Sequence, residues 1–278
     1  MFTSGTSLFL DYSGCRGDHC SALQFPGSNG LKQASGSGEV MICEHGDRRV
    51  TRMEKNGTRT PLATHFNGKR LNSPNDLAIS KRGDLYFTDP PWGLPKRHED
   101  PGFTAHGFGG VYRVRRENIE AARAGESQAA AEPELLDSDF AWPNGLAFSP
   151  DFSRLYMSVV PPPDFPEDTA WYVYDVGEDG DLANRRMFFD PSPLMKVFKV
   201  GVPDGLAVDD RGNVFATSPG GVSVISPAGE HLGTIFTGGM FVSNVVLAGD
   251  GYLYMTATES IIRVKVLTKP APDPVIDA

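Results

Sequence analysis

The residues with the clearest chemical potential recur at one place in a repeated phrase. Residues 73–93 read SPNDLAISKRGDLYFTDPPWG, where Asn75 opens a first apolar run and Asp89 closes a second. The start of one strand and the end of the next lie on the same edge of an antiparallel hairpin, so we expect these side chains to meet. Related phrases place Asn144 in WPNGLAFSPD and Asp204 in VPDGLAVDDRG. Asparagine and aspartate thus recur where apolar strands begin.

This set offers oxygen ligands, and no His or Cys occupies the matching positions. Oxygen ligands suit Ca²⁺, and also Mg²⁺ or Mn²⁺, better than they suit a thiolate-rich zinc site. Asp204 is the ionised member, which beside a divalent cation could bind the metal or take a proton from water. The cation would polarise a carbonyl or phosphoryl oxygen. The residues therefore predict metal-assisted hydrolysis.

A purely structural interpretation of these phrases is also open. Pro-Asn-Gly and Pro-Asp-Gly are ordinary turn sequences, and Asn and Asp commonly cap strand ends through their side chains. Turn preference explains any one copy, but it does not require an amide or carboxylate in every copy. The recurrence at one structural position favours a site.

Four further residues reach the same edge by the hairpin argument. They are Glu44 and His45 in CEHG, together with Asp89 and Trp92 in YFTDPPWG. His45 could contact substrate or transfer a proton, or it could simply pack. Glu44 could be a ligand, although a salt bridge to one of the two arginines that follow HGD is an equal alternative. Trp92 could form a wall for an apolar or sugar face.

The elements that must position these residues are short strands in a repeated unit. Copies of the phrase begin near residues 28, 73, 142, 202 and 242, and place Asn29, Asn75, Asn144, Asp204 and Asn244 at equivalent positions. Strand-like runs lie between the copies, so each unit holds about four strands over about 40–50 residues, the length of a propeller blade.

Together with the N-terminal SLFLDYSG these units predict an all-β, six-bladed β-propeller whose first blade is incomplete. The first strand of each blade lines the channel, which would bring the Asn and Asp positions together at one mouth. We expect one domain over residues 1–267. Residues 117–134 would be a helical or flexible insertion, and residues 268–278 a disordered tail.

Composition excludes several classes of partner. The chain has 278 residues and a net charge of −9, which argues against binding to nucleic acid or to an anionic membrane surface. It contains no apolar run of 18 residues, and its first residues lack the basic segment of a signal peptide. We therefore expect a cytoplasmic protein without membrane association, present as a monomer or weak oligomer.

The chain has three cysteines, Cys15, Cys20 and Cys43, and this small, odd number does not indicate a disulfide framework. A bridge between Cys15 and Cys20 is compatible with their spacing. We expect buried or incidental thiols instead.

The long phrase SPNDLAISKRGDLYFTDPPWGL, followed by WPNGLAFSPD and VPDGLAVDDRGNVF, resembles the gluconolactonase branch of the SMP-30/gluconolactonase/LRE-like family. The likeness covers most of residues 28–265. It implies a six-bladed propeller with one divalent cation on the axis, calcium or zinc. It implies that Asn144 and Asp204 are metal ligands, that Asn75 binds the metal or the substrate, and that Asp204 is the general base.

The family's further carboxylate ligand, a Glu in an E-G-P-x-W phrase, has no counterpart in this chain. Three protein ligands with added water would hold a cation more weakly. A truncated chain is our expectation, and a divergent member or a scaffold without catalysis are the alternatives.

The resemblance implies hydrolysis of a small-molecule sugar lactone. The alternatives are a phosphotriesterase or arylesterase with the same metal site, and a propeller that binds without catalysis.

Overall fold

The computed structural model describes residues 13–23, 25–33, 38–125, 130–160 and 169–274. Their main architecture is a set of five antiparallel sheets arranged as propeller blades. Blade 1 consists of β1 (Ser28–Gln33), β2 (Val40–Glu44), β3 (Arg49–Met53) and β4 (Arg59–Ala63). A two-stranded hairpin follows, formed by β5 (His65–Phe66) and β6 (Lys69–Arg70).

The other four blades follow in chain order. Blade 2 consists of β7 (Leu77–Ile79), β8 (Leu85–Asp89), β9 (Gly110–Val114) and β10 (Glu134–Asp137). Blade 3 consists of β11 (Pro143–Phe148), β12 (Arg154–Val159), β13 (Ala170–Val176) and β14 (Leu182–Phe189). Blade 4 consists of β15 (Leu206–Val208), β16 (Val214–Ser218), β17 (Gly221–Ile225) and β18 (His231–Phe236). Blade 5 has three strands, β19 (Val242–Leu247), β20 (Tyr252–Ala257) and β21 (Ser260–Lys265).

The hydrophobic core is divided into four layers, one between each pair of neighbouring blades. Leu77 and Leu85 of blade 2 pack with Val50 of blade 1, for example, and similar clusters join blades 2 to 3, 3 to 4 and 4 to 5. The inner strands are apolar on the faces that meet the next blade, which explains their alternating sequence pattern. The fold is thus held together mainly between blades.

The expectation of six blades is wrong, since the described residues form five. The sixth blade depended on SLFLDYSG, most of which lies outside the described residues. Its last two residues lead into a compact loop and a 3₁₀ turn (Asp18–Ala22). Gly14 and Gly17 have φ values of 90° and 107°, which turn the chain away from an extended path. The blade that begins at Ser28 is complete, with four strands.

The helices are short and lie in connections. They are α1 (Pro101–His106), α2 (Arg116–Arg123), α3 (Ser192–Val197) and a second 3₁₀ turn (Arg97–Glu99). Helix α2 falls largely within the predicted insertion, and its Ile119 packs into the core between blades 1 and 2. In the described part of the chain, no helix combines the length and the apolar character that a membrane crossing requires.

Of the predicted tail, residues 268–274 belong to the described part of the chain, and residues 275–278 lie outside it. The amide of Ala271 donates to the Val208 carbonyl at 2.9 Å, and Lys32 on β1 pairs with Asp273 at 2.9 Å. The amide of Asp210 also donates to the Lys269 carbonyl. Residues 269–273 therefore connect blade 4 to blade 1, because their backbone finds partners at the end of β15.

Cys15 and Cys20 form a disulfide, so the expectation of free thiols is wrong for this pair. The turn Asp18–Ala22 brings the two sulfurs together, which the spacing alone did not reveal. Cys43 is a buried free thiol.

Candidate functional site

A cavity of about 1580 Å³ runs along the inner strands and reaches blades 1 and 5. Five of the seven residues predicted for the site line it: Asn75, Asn144, Asp204, His45 and Trp92. Asn75 and Asn144 come from different blades and are 4% and 5% exposed. Residues from separate copies of the repeat thus line one cavity.

Close approach of neighbouring blades sets the positions of these residues. A Cβ on Gly145 would collide with the Asp204 carbonyl of the next blade, and one on Gly205 would collide with the Asn244 side chain. A Cβ on Gly30 would lie 2.6 Å from Asp76 Oδ1. The glycines that follow Asn29, Asn144 and Asp204 are therefore required by packing between blades, rather than by the local turn alone.

Hydroxyl groups on the second strands hold the same backbone in place. Thr88 donates from Oγ1 to the Asn144 carbonyl at 2.7 Å, and Ser158 donates from Oγ to the Asp204 carbonyl at 2.6 Å. Ser158 Oγ also accepts the Gly145 amide at 2.8 Å. Each hydroxyl thus ties one blade to the site residue of the next, which orients Asn144 and Asp204 without touching their side chains.

The charge balance at the mouth is unusual. Burial raises the pKa of Asp204 to about 8, the charge of Asp76 adds to the rise, and a hydrogen bond from Asn144 opposes it. Burial also raises the pKa of Asp76 to about 6. None of the groups that act on Asp204 is a cation, so its carboxyl favours a proton or a bound cation.

The donor atoms present fit a hard divalent cation. Asn144 Oδ1 is buried and has no hydrogen-bond partner, although its residue lies beside Asp204 in the cavity lining. A buried amide oxygen without a partner is costly unless something else satisfies it. Together with the Asp204 carboxyl and the Asn75 amide, this oxygen makes a donor set of the kind that Ca²⁺ and Mg²⁺ prefer.

His45 is 3% exposed and lies against Gly93, where a Cβ would be 2.6 Å from Nε2. Its Nδ1 lies 3.1 Å from the Pro74 carbonyl, which can only accept, so Nδ1 carries the proton and Nε2 holds the lone pair. Burial lowers the pKa of this histidine. His45 therefore lines the cavity as a neutral imidazole.

Trp92 supplies an aromatic wall. Its ring meets Trp142 edge to face at 4.6 Å, and the Arg97 guanidinium lies 5.0 Å from its ring centre. Trp92 Nε1 is buried without a hydrogen-bond partner. This N–H is therefore a donor that a bound molecule could use.

Two predicted site residues do not line the cavity. Asp89 accepts the amides of Asn72 at 2.7 Å and Ser73 at 2.8 Å, so it holds the backbone that precedes Asn75. Glu44 is fully buried and pairs with Arg49 and Arg59. The hairpin argument placed both residues at the correct edge, but their side chains turn into the protein to satisfy buried donors.

Asp76 is the residue that sequence reasoning missed. It lines the cavity, and its carboxylate accepts the Leu77 amide at 2.9 Å and the Leu146 amide of blade 3 at 3.1 Å. A signal existed in the repeat itself, because Asp76 stands where other copies have glycine at Gly30, Gly145 and Gly205.

Comparison with known proteins agrees with this architecture. The family model for the SMP-30/gluconolactonase/LRE-like region matches residues 12–259. A gluconolactonase from Zymomonas mobilis is 32% identical over 277 residues, which cover 95% of this chain and 70% of that protein.

Two more distant comparisons extend the result. The structure of a gluconolactonase from Xanthomonas campestris superimposes with a TM-score of 0.68 at 30% identity, covering 89% of this chain and 73% of the other. The lactonohydrolase oryL of Aspergillus oryzae is 23% identical over 69% of this chain, which spans 43% of that protein's length. The chain belongs to the SMP-30/gluconolactonase/LRE-like family.

Proposed function

We propose that this protein is a gluconolactonase-like lactone hydrolase that acts with one divalent cation, Ca²⁺ being the first candidate. Membership of the family and the likeness to two gluconolactonases support the reaction class. The observation that carries the metal is the buried Asn144 Oδ1, which has no hydrogen-bond partner and lies beside a carboxyl of raised pKa. An oxygen ligand and a carboxylate of this kind are both satisfied by one cation.

Asn144, Asp204 and Asn75 would hold the cation, as the three residues contribute oxygens from blades 2, 3 and 4 to one cavity. When bound, the cation would polarise the lactone carbonyl and stabilise the negative charge that develops on its oxygen. Ser158 and Thr88 keep the ligand backbone in place from the preceding blades. The protein's own part is therefore to hold this constellation rigidly.

Asp204 assists the attacking water by accepting its proton. Asp204 is suited to this role because none of the groups that act on its carboxyl is a cation, so the protein itself does not compensate its charge. A carboxylate has two oxygens, so Asp204 would be able to serve both as a ligand of the cation and as the base. The proton then passes to the ring oxygen as the bond between that oxygen and the acyl carbon breaks, which gives the hydroxy acid.

Trp92 and His45 would orient the substrate. The Trp92 ring offers an apolar surface to a sugar face, and its unpaired Nε1–H can donate to a hydroxyl. His45 Nε2 can accept a hydrogen bond, because Nδ1 already donates to Pro74. These contacts would place the carbonyl carbon near Asp204.

The test is a pH-stat assay of gluconolactone hydrolysis on chelator-treated protein to which Ca²⁺ is added back. We expect no activity above the spontaneous rate without cation, and restored activity with it. Asp204→Asn should lower kcat by about 10²–10⁴-fold with an unchanged circular dichroism spectrum. The exposed Asp190→Asn is the matched control and should behave as wild type.

Full activity of Asp204→Asn would refute its role as base. Full activity after chelation would refute the dependence on a cation. A phosphotriester hydrolysed faster than gluconolactone would replace the proposed substrate class, and a protein that binds Ca²⁺ but hydrolyses neither would be a binding module.

A further inference from the structure

A second group of metal-ligating side chains lies outside the cavity. Cys15, His19 and Cys20 come from the segment before β1, and Asp47 comes from the turn between β2 and β3. One ligand atom of each residue lies within 4.8 Å of every other. Neither the cavity nor the proposed hydrolysis uses any of these four side chains.

We propose that this group is a redox-controlled zinc site, formed when the Cys15–Cys20 disulfide is reduced. Two thiolates, one imidazole nitrogen and one carboxylate oxygen make a four-ligand set typical of structural zinc. The proposal does not depend on the proposed hydrolase function.

The distances suit a tetrahedral centre. Cys15 Sγ lies 3.4 Å from His19 Nε2, and His19 Nε2 lies 3.7 Å from Asp47 Oδ1. Zinc bond lengths of about 2.0–2.3 Å place neighbouring ligand atoms roughly 3.3–3.8 Å apart in a tetrahedron. The two sulfurs are bonded to each other in the oxidised chain, and reduction would allow them to separate by side-chain rotation.

The surroundings already orient the carboxylate ligand. Asp47 Oδ1 accepts the Arg16 amide at 2.9 Å, and Asp47 Oδ2 lies 3.1 Å from Arg49 Nη2. Two thiolates and one carboxylate give the centre a net charge of −1 with Zn²⁺, and the Arg49 guanidinium, which also pairs with Glu44, lies beside the carboxylate. Partners of this kind fix a ligand's direction and raise metal affinity.

The site combines an exposed ligand, through which a metal ion can enter, with a buried ligand that is held by packing. The His19 side chain is 56% exposed, whereas Cys15 is 5% exposed and packs against Gly46, where a Cβ would lie 2.7 Å from Cys15 Cβ. Metal can therefore enter from the His19 side. The bound ion would fasten the segment before β1 to the turn that carries His45.

The chemical steps balance with a dithiol as reductant. One dithiol sulfur attacks Cys20 Sγ, forming a mixed disulfide and releasing the Cys15 thiolate. The second dithiol sulfur then displaces the Cys20 thiolate and closes the reductant's own disulfide, so two electrons and two protons pass to the protein. Zn²⁺ binding releases two protons from the two thiols.

Co²⁺ is the probe that separates this site from the cavity. A tetrahedral Co²⁺ thiolate centre has visible d–d bands and a sulfur-to-cobalt charge-transfer band, whereas the oxygen ligands of the cavity give no such charge transfer. The whole protein is reduced with dithiothreitol, desalted under argon and titrated with Co²⁺, then with Zn²⁺. We expect one charge-transfer centre per reduced chain, displaced by one Zn²⁺, and none in the oxidised protein.

The variants are chosen to isolate the ligands. Reduced His19→Ala should bind at least about tenfold more weakly, since even an outer-shell partner is commonly worth that factor. His65→Ala, an exposed histidine of β5, is the matched control and should bind as wild type. Cys15→Ser/Cys20→Ser should lose the charge-transfer band, with folding checked by circular dichroism.

A reduced wild-type protein without the band would overturn the proposal, and that comparison needs no variant. The same band in the oxidised protein or in the double serine variant would also overturn it. Trypsin cleavage after Arg16 gives an independent measurement. Zn²⁺ should slow this cleavage in the reduced chain. An unchanged rate would contradict the proposal that the ion fastens the segment before β1.

Discussion

Two carboxylate regions of this molecule are built in opposite ways. Glu44 at the end of β2 is fully buried and paired with two arginines, Arg49 and Arg59. Asp204 and Asp76 at the cavity have raised pKa values, and Asp204 is affected by another carboxylate rather than by a cation. The negative charge of Glu44 is therefore balanced by neighbouring cations, whereas the negative charge of Asp204 is not.

Charge compensation therefore distinguishes a structural carboxylate from a functional one better than its position in the fold does. Both regions lie at the mouth edge of their hairpins, and the sequence pattern treats Glu44 and Asp204 alike. A charge that the fold has compensated holds elements together, whereas an uncompensated one is available to a ligand or a proton. The predictions below test that distinction, beginning with the largest expected effect.

Glu44→Gln should cause the largest loss of stability. It removes the negative charge that faces two guanidinium groups, one of them on Arg59, whose side chain is 2% exposed. Breaking a buried ion pair on one side costs about 3–5 kcal/mol in free energy of unfolding, which urea titration measures. The same amide substitution at Asp204 is the comparison and should not reduce stability. Equal losses in the two variants would mean that the regions do not differ.

Gly145→Ala should disturb the mouth without changing any charge. Its Cβ would collide with the Asp204 carbonyl, so blade 3 or blade 4 must shift. Overpacking of this kind costs about 1–3 kcal/mol, and the displaced Asp204 should also reduce lactonase activity. Gly249→Ala is the control, because nothing lies within 4 Å of its added Cβ. Similar behaviour of the two alanine variants would contradict the packing role of Gly145.

The pH dependence of stability should distinguish Asp204 from its amide. The pKa of Asp204 rises from 3.8 to about 8 on folding, so the folded state keeps a proton that the unfolded state has released. Stability from this proton is therefore present at low pH and is lost as pH rises through about 8. Asp204 is half-buried, so water screens part of the effect.

The measurement compares chelator-treated wild type with Asp204→Asn by urea titration between about pH 6 and about pH 9. Relative to the variant, wild type should lose stability as the pH increases. A constant or growing advantage of wild type over this range would show that the carboxyl is compensated after all.

Lys32→Gln should have the smallest effect. Lys32 pairs with Asp273 at 2.9 Å, and the side chains are 39% and 56% exposed, so the loss should be within about 1 kcal/mol. Lys32 also lowers the pKa of Asp76, so the Asp76 titration followed by NMR should move to higher pH. An unmoved titration would mean that Lys32 does not reach the mouth electrostatically. A loss comparable to that of Glu44→Gln would mean that the pair fastens the fold.

Much of the fold could be predicted because each blade has its own copy of the phrase. Strand alternation and turn residues are local signals, so the five copies predicted five sheets and the cavity residues Asn75, Asn144 and Asp204. The count of six failed at the N-terminus, where a short apolar run was taken as a strand pair. The loop that starts at Ser13 is shaped instead by glycines of positive φ and by a disulfide.

The directions of individual side chains were harder to predict from the sequence. The hairpin pattern placed Glu44, Asp89 and Asp204 at equivalent edges, but only Asp204 of these three lines the cavity. Glu44 turns toward the arginines that begin β3 and β4, and Asp89 turns toward amides before β7. Such partners are distant in sequence, so one strand's pattern does not contain them.

By itself the sequence determined the repeat, the strand period and the residue types that meet at the channel, because these depend on neighbours a few positions apart. Only the tertiary structure decided which carboxylates are neutralised, that Asp76 joins the cavity, and that Asp47 meets the cysteine segment. Charge compensation depends on which groups from separate blades come within a few ångströms, and that distance is fixed when the blades pack together.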